Sequence, residues 1–396
     1  MGKASSGSRW SQIGLALVAG ATLAACSGGQ PAATGSRSVG RNLQAKSSIR
    51  RVASCLTNTT PANWRALLSA PALPPQSGFD LGPLAVSGHF AFGQVFSSSS
   101  SQLAMGEGNL LTGQISDIAP LPPNAAGLGA VAADLPWVVW QEGDSQGNPG
   151  DWSVHSWNQQ TGVTKVLASS PGVSGFGSPP TPAVWNGWAS WSQPTTTGSY
   201  QLLLVNLTTG KTRTLASGKV GAPVIAGPYL IWAEENSAKQ TVFSAIYTRN
   251  LKPAKLPPAL QGAQSVGSLA GSSQYLVWGT HNLAKLMLWR VGATYREEFA
   301  PTAPKGSTPT SSPEFQFPQL AGRYLLWYTG VATLTMDLQT GKGFVEKGDT
   351  GVATGSSEWL VAIAGPPSSG AKSTAFVQTR MLPLHTAAAP AIDSCD

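Results

Sequence analysis

The chain is short of charge. Only 11% of its 396 residues are Asp, Glu, Lys or Arg, against about 25% in an ordinary soluble domain. Four His and three Cys are too few for a zinc array or an iron–sulfur protein. No acidic residue precedes Asp80. No apolar run reaches the roughly 20 residues of a membrane-spanning helix. Beyond the first 26 residues no window of about 11 residues keeps helical periodicity, and no Gly-x-Ser-x-Gly elbow is present. What the chain does have is 45 Gly, 30 Pro, 14 Trp and 41% hydrophobic residues. That is enough apolar material for a core, so global disorder is excluded.

A net charge of +7 would normally raise nucleic acid as a partner. The charge is unevenly placed. Eight basic residues lie before Asp80, whereas 17 basic face 18 acidic residues from there on. The long C-terminal body is nearly neutral and carries no Lys/Arg stripe that would track phosphates, so no nucleic-acid partner is expected.

The N-terminus has the layout of an export signal. Lys3 and Arg9 precede a short apolar run over residues 13–23, which ends in Leu23-Ala24-Ala25-Cys26. This ending resembles the lipobox of bacterial lipoproteins. The resemblance implies cleavage before Cys26 and a diacylglyceryl and acyl (palmitate-type) anchor on it, hence an extracytoplasmic protein held at the membrane. Residues 26–54 are rich in Gly, Ala, Ser and Gln with five basic residues, and are expected to form a flexible tether. Basic residues near a surface favour anionic lipid by about 1 kcal/mol each. With Cys26 lipidated, Cys55 and Cys395 remain as an even pair in an oxidising compartment. Their pairing would clasp the ends of the 55–396 body.

Within that body a short unit recurs, in which a small residue or Gly precedes an aromatic, two apolar residues and Trp. Copies are Gly187-Trp188-Ala189-Ser190-Trp191, Tyr229-Leu230-Ile231-Trp232 and Tyr324-Leu325-Leu326-Trp327, with Trp137-Val138-Val139-Trp140 and Tyr275-Leu276-Val277-Trp278. Weaker copies end at Phe92 and Ala362. The landmarks are spaced by 48, 51, 41, 46, 49 and 35 residues. Each unit continues into a hairpin such as Asn206-Leu207-Thr208-Thr209-Gly210-Lys211 or Asp337-Leu338-Gln339-Thr340-Gly341-Lys342. Asx at the start and Gly at a positive-φ position are what such turns require. Four strands at this period indicate an all-β fold, a β-propeller. Seven blades are expected, with six as the alternative, and residues near Cys55 are expected to complete the last sheet. The recurring Trp is read as core packing between sheets.

The Gly-aromatic-apolar-apolar-Trp strand and the Asx-Leu-x-Thr-Gly-Lys hairpin resemble the TolB-like group of propellers over residues 80–385. Such motifs speak for architecture more than for activity. Candidate ligand-binding residues are those on loops that share one face of a propeller: Glu142, Asp144, Asn148 and Asp151 after one Trp strand, Glu234 and Glu235 after another, and His281 and Asn282 after a third. No catalytic residue and no metal ligand is assigned, and no cofactor is expected. The oxygen-rich 142–151 loop leaves calcium as the alternative. His89 and His155 stand at strand positions and are read as core or barrel-lining. The expected function is a membrane-anchored binding or scaffolding module for another envelope protein or an extracellular ligand. The alternative is a propeller enzyme, a lyase or glycosidase, acting on polysaccharide at the channel mouth.

Overall fold

The computed structural model describes residues 48–62, 64, 79–97, 104–123, 125, 127–144, 150–170, 179–263, 268–280, 285–300, 316–328, 333–346, 354–355, 359–364, 378–383 and 392. Two short strands come first, β1 (Ile49–Val52) and β2 (Cys55–Thr57). The first sheet holds β3 (Phe79–Ser87), β4 (Phe90–Ser97), β5 (Ala104–Asn109) and β6 (Ile115–Pro120). The second holds β7 (Gly127–Asp134), β8 (Trp137–Gly143), β9 (Trp152–Asn158) and β10 (Val163–Ser169). The third is β11 (Ala183–Trp185), β12 (Trp188–Pro194), β13 (Tyr200–Asn206) and β14 (Thr212–Gly218).

The fourth has three strands, β15 (Val224–Ala226), β16 (Tyr229–Glu235) and β17 (Thr241–Tyr247). The fifth is β18 (Leu269–Gly271), β19 (Tyr275–Gly279), β20 (Leu286–Arg290) and β21 (Arg296–Phe299). The sixth is β22 (Gln316–Ala321), β23 (Tyr324–Tyr328), β24 (Thr333–Asp337) and β25 (Lys342–Glu346). A seventh sheet is built from β26 (Thr354–Gly355), β27 (Trp359–Ala364) and β28 (Gln378–Pro383). Neighbouring sheets meet through their first strands, except that the third and fourth meet through a shared apolar cluster, and β26 meets β3, which closes a ring. The fold is an all-β propeller.

Each landmark aromatic lies on the second strand of its sheet. Side chains alternate across a strand, so one face of each second strand looks back at the preceding sheet and the other looks forward. Val138 and Trp140 pack against Phe92 and Met105 of the first sheet, whereas Val139 packs with Trp191 of the third. Leu230 and Trp232 join Leu202 and Leu204, while Ile231 joins Trp278. Trp327 packs with Val277 and Leu288. Phe92, Trp140, Trp191, Trp232, Trp278 and Trp327 are all buried. The expected hairpins are also present. Asn206 Oδ1 accepts from the Thr209 N–H (2.8 Å), and Gly210 follows at φ 72°.

The N-terminal strands depart from expectation in two ways. Cys55 was expected to complete the last sheet, but β2 adds parallel to β25 of the sixth sheet, and β1 adds parallel to β21 of the fifth. β21 and β25 are the outermost hairpin strands of successive sheets, and one short extended segment pairs with both in turn. Among the described residues, strand structure therefore begins at Ile49, inside the stretch assigned to a flexible tether. Arg51 meets Glu298 at 3.6 Å, and Trp64 is buried edge-on against Tyr324, centroids 5.0 Å apart.

First strands approach closely on the inside of the ring. A Cβ on Gly271 of β18 would stand 2.1 Å from the Ile225 carbonyl oxygen of β15. Gly271→Ala should cost more stability than any exposed turn substitution. Trp191→Ala should lower the unfolding free energy by about 3–5 kcal/mol, read from the urea midpoint at constant slope. A loss below about 1 kcal/mol would show that the repeated Trp is not the packing element described.

Candidate functional site

The candidate residues of the second sheet are held by strand register. β8 and β9 pair so that Glu142 stands opposite Ser153 and Trp140 opposite His155. All four share the face that looks toward the first sheet. The His155 ring stacks on Trp140, with centroids 5.2 Å apart and planes 10° from parallel. Ser153 Oγ donates to Asp144 Oδ1 at 2.7 Å. Its one proton is thereby committed, so the 2.8 Å contact to His155 Nε2 has the imidazole as donor. The chain of bonds runs His155 to Ser153 to Asp144.

Glu142 sits beside this chain, 3.6 Å from His155 Nε2. Its side chain is only 5% exposed. Burial, and secondarily the Asp144 charge, pushes its carboxyl up to about 7. The Trp140 indole pulls the other way only weakly, since its N–H reaches no partner in good geometry. His155 is held below the usual imidazole value by burial, against the opposing pull of Asp144. A neutral imidazole that donates cannot take the Ser153 proton. Ser153 is therefore not an activated nucleophile.

The fourth sheet repeats half of this arrangement. Trp232 Nε1 donates to Glu234 Oε2 at 2.8 Å, and Ser244 Oγ donates to Glu234 Oε1. In the third sheet Trp191 Nε1 donates to Gln193 Oε1, also at 2.8 Å. The indole and the acceptor two residues on lie on one strand face, so a Trp-x-Glu/Gln pair recurs in three successive sheets. The sequence contains the pattern, but only hairpin register shows which acceptors turn inward. His155 and Ser153 were missed as site residues for the same reason. They sit in an apolar run, and nothing local to that run marks their pairing with Glu142.

Glu142 and Asp144 thus come together. Asp151 meets Asp144 through its backbone, its carbonyl accepting the Asp144 N–H at 2.9 Å, while its Oδ1 accepts from Ser170 Oγ at 3.2 Å. Glu235 faces Lys219 at 2.9 Å. Glu142 and Glu234 occupy separate crevices, between the first and second sheets and between the third and fourth. Asn148, His281, Asn282, Cys26 and Cys395 lie outside the described residues. Among the described residues no group of three or more His, Cys, Asp or Glu is arranged to hold a metal ion, and no helix is long and apolar enough to cross a membrane.

No family model matches the chain, and no curated protein matches it. Solved structures are similar in shape. A structure from work on two prolyl endopeptidases shares 14% identity at a TM-score of 0.51, covering 72% of this chain and 45% of that one. TolB from Acinetobacter baumannii shares 9% identity at 0.41, covering 75% and 94%. The propeller domain of the Trilobed protease from Pyrococcus furiosus shares 7% at 0.43, covering 72% and 89%. The chain spans less than half the length of the first of these. Likeness at such identity speaks for the fold alone.

Burial of Glu142 makes stability depend on pH in a definite direction. Its folded value of about 7 lies above the ordinary 4.5, so between those values the folded chain keeps a proton that the unfolded chain has lost. Stability from this group is therefore full at low pH and falls as pH rises toward 7. Glu142→Gln should leave the unfolding free energy near pH 4.5 almost unchanged and raise it at pH 8 by on the order of 2 kcal/mol, read from urea midpoints at the two pH values. Equal shifts at both values would contradict a buried, proton-retaining carboxyl.

The ring of sheets and the geometry of these carboxylates together bring the chain to a propeller whose conspicuous acids lie in the packing between sheets.

Proposed function

We propose that the chain is an extracytoplasmic propeller, anchored by lipid on Cys26, that acts as a binding or scaffolding module toward an envelope protein or an extracellular ligand. The observation that carries this reading is the commitment of the site acids to internal partners. Glu142, Asp144, Asp151, Glu234 and Glu235 are engaged by Ser, Trp, His or Lys side chains of neighbouring strands and loops. A polysaccharide lyase or glycosidase needs carboxylates that reach a substrate, and Glu142 and Ser153 are buried.

The anchor reading rests on the Leu-Ala-Ala-Cys ending and the short apolar run before it. The Cys55–Cys395 pairing is supported by Cys55, whose sulfur is disulfide-bonded. Ile392 lies at the same hairpin as Cys55: Thr340 Oγ1 donates to the Ile392 carbonyl at 3.3 Å, and the Cys55 N–H donates to Gly341 O at 3.2 Å. Seven is the blade count we adopt, supported by seven sheets. A count of six would follow if the three-stranded closing sheet were not scored as a blade.

Cys26→Ser should abolish labelling by a fatty-acid probe and release the protein from membranes; labelling unchanged in the variant defeats the anchor. Non-reducing peptide mapping should recover Cys55 joined to Cys395. Crosslinking in intact cells should trap discrete envelope partners, while incubation with defined polysaccharides releases no reducing ends. Turnover of any of them would install the enzyme reading in place of ours.

A further inference from the structure

Among the described residues the fourth sheet has three strands. After β17 the chain folds back, and Pro253 makes one bridge with Ile246. The Tyr247 N–H donates to Lys252 O and the Ala254 N–H to Ala245 O, both at 2.9 Å. Pro257 and Pro258 then lead the chain away, and proline cannot supply the donors of a further strand.

Those two bonds fix the orientation of β17. Odd-numbered residues direct their backbone groups outward, and even-numbered ones toward β16. Thr241 and Phe243 therefore present N–H and C=O at an open edge, and Ala245 presents its N–H. No hydrogen bond from a described residue outside β16 reaches these groups. Beside the edge lies a groove of about 590 Å³, with Trp232 and Ile246 as its apolar floor and Arg213, Leu215, Lys255 and Leu256 on its walls.

The charge around this groove has one sign. Arg213, Lys252 and Lys255 are exposed, and none takes part in an ion pair among the described residues. The nearest acids are spent, Glu234 on Trp232 and Ser244 and Glu235 on Lys219. The fold also shows how such an edge is filled, since β1 and β2 add as outer strands to the next two sheets. The segment preceding β1 carries Arg37, Arg41 and Lys46 and no acid, so it is repelled by this rim. An acidic partner segment is the strand that this rim attracts.

We propose that the β17 edge binds an extended acidic peptide segment of a partner protein as an added strand. Backbone groups would provide the ladder, and alternate side chains would meet the apolar floor and the basic rim. This gives the binding reading a location and a ligand class, and the lipid anchor plays no part in it.

The test uses the full-length chain in detergent and a short fluorescent peptide that alternates Glu with Val. Anisotropy should show saturable binding that weakens as salt is raised. Lys255→Glu, at an exposed position, should weaken it about tenfold with an unchanged melting temperature. N-methylation of alternate peptide amides should abolish binding in one of the two registers and spare it in the other. Equal binding of both N-methylated peptides, equal binding of a Lys–Val peptide, or no saturation would each overturn the proposal. Those failures would leave cellular crosslinks to envelope partners intact, so they are distinguishable from failure of the binding-module reading.

Discussion

The ring depends on one contact repeated from the second sheet to the sixth: a Trp on the second strand of a sheet, pressed back against the sheet before it. A three- or four-stranded antiparallel sheet has two faces, and in a propeller both are covered by neighbours. A flat, large side chain at a fixed strand position sets the spacing between sheets. The opposite face of the same strand then packs forward. Trp191 and Ile231 illustrate the two directions, one gathered with Val139 and the other with Trp278. Close packing of this kind tolerates little loss of volume, because an interior at crystal-like density has no slack to fill a cavity.

The polar residues next to these aromatics obey the same geometry. A residue two positions beyond the Trp must lie on the same face, and so enters the crevice with it. There the indole N–H needs an acceptor, because an unpaired buried donor is costly. Gln193 and Glu234 meet that need directly. Glu142 does so poorly, and its burial without a full set of donors raises its proton affinity. A carboxyl with this property invites a catalytic reading, yet here it follows from sheet packing.

Much of the architecture was legible because it depends on short-range periodicity. The Trp strand, the Asx–Gly hairpin and the four-strand unit repeat within about 50 residues; among the described residues the full four-strand unit is present in five of the seven sheets, the fourth and seventh having three strands. The N-terminal strands were not legible. Ile49–Val52 is a basic, exposed strand whose pairing is decided by an open edge some 245 residues further on, at Arg296. The site was legible only in part. Glu142 and Asp144 could be picked from a loop, but Ser153 and His155 join them through cross-strand register. Overall neutrality of the body also hid the one-sign rim at Arg213, Lys252 and Lys255, because net charge carries no information about separation.

The parallel strands β1 and β2 bear on how the ring carries load. A pull on the residues before Ile49 acts along the axis of β1, in line with its neighbour β21. The ladder bonds between them are then strained together, in shear, and cannot be peeled apart one at a time. What force passes β1 reaches β2, on a different sheet. Mechanical tension on this end is thus spread over two blades before it can disturb the closure between the last sheet and the first.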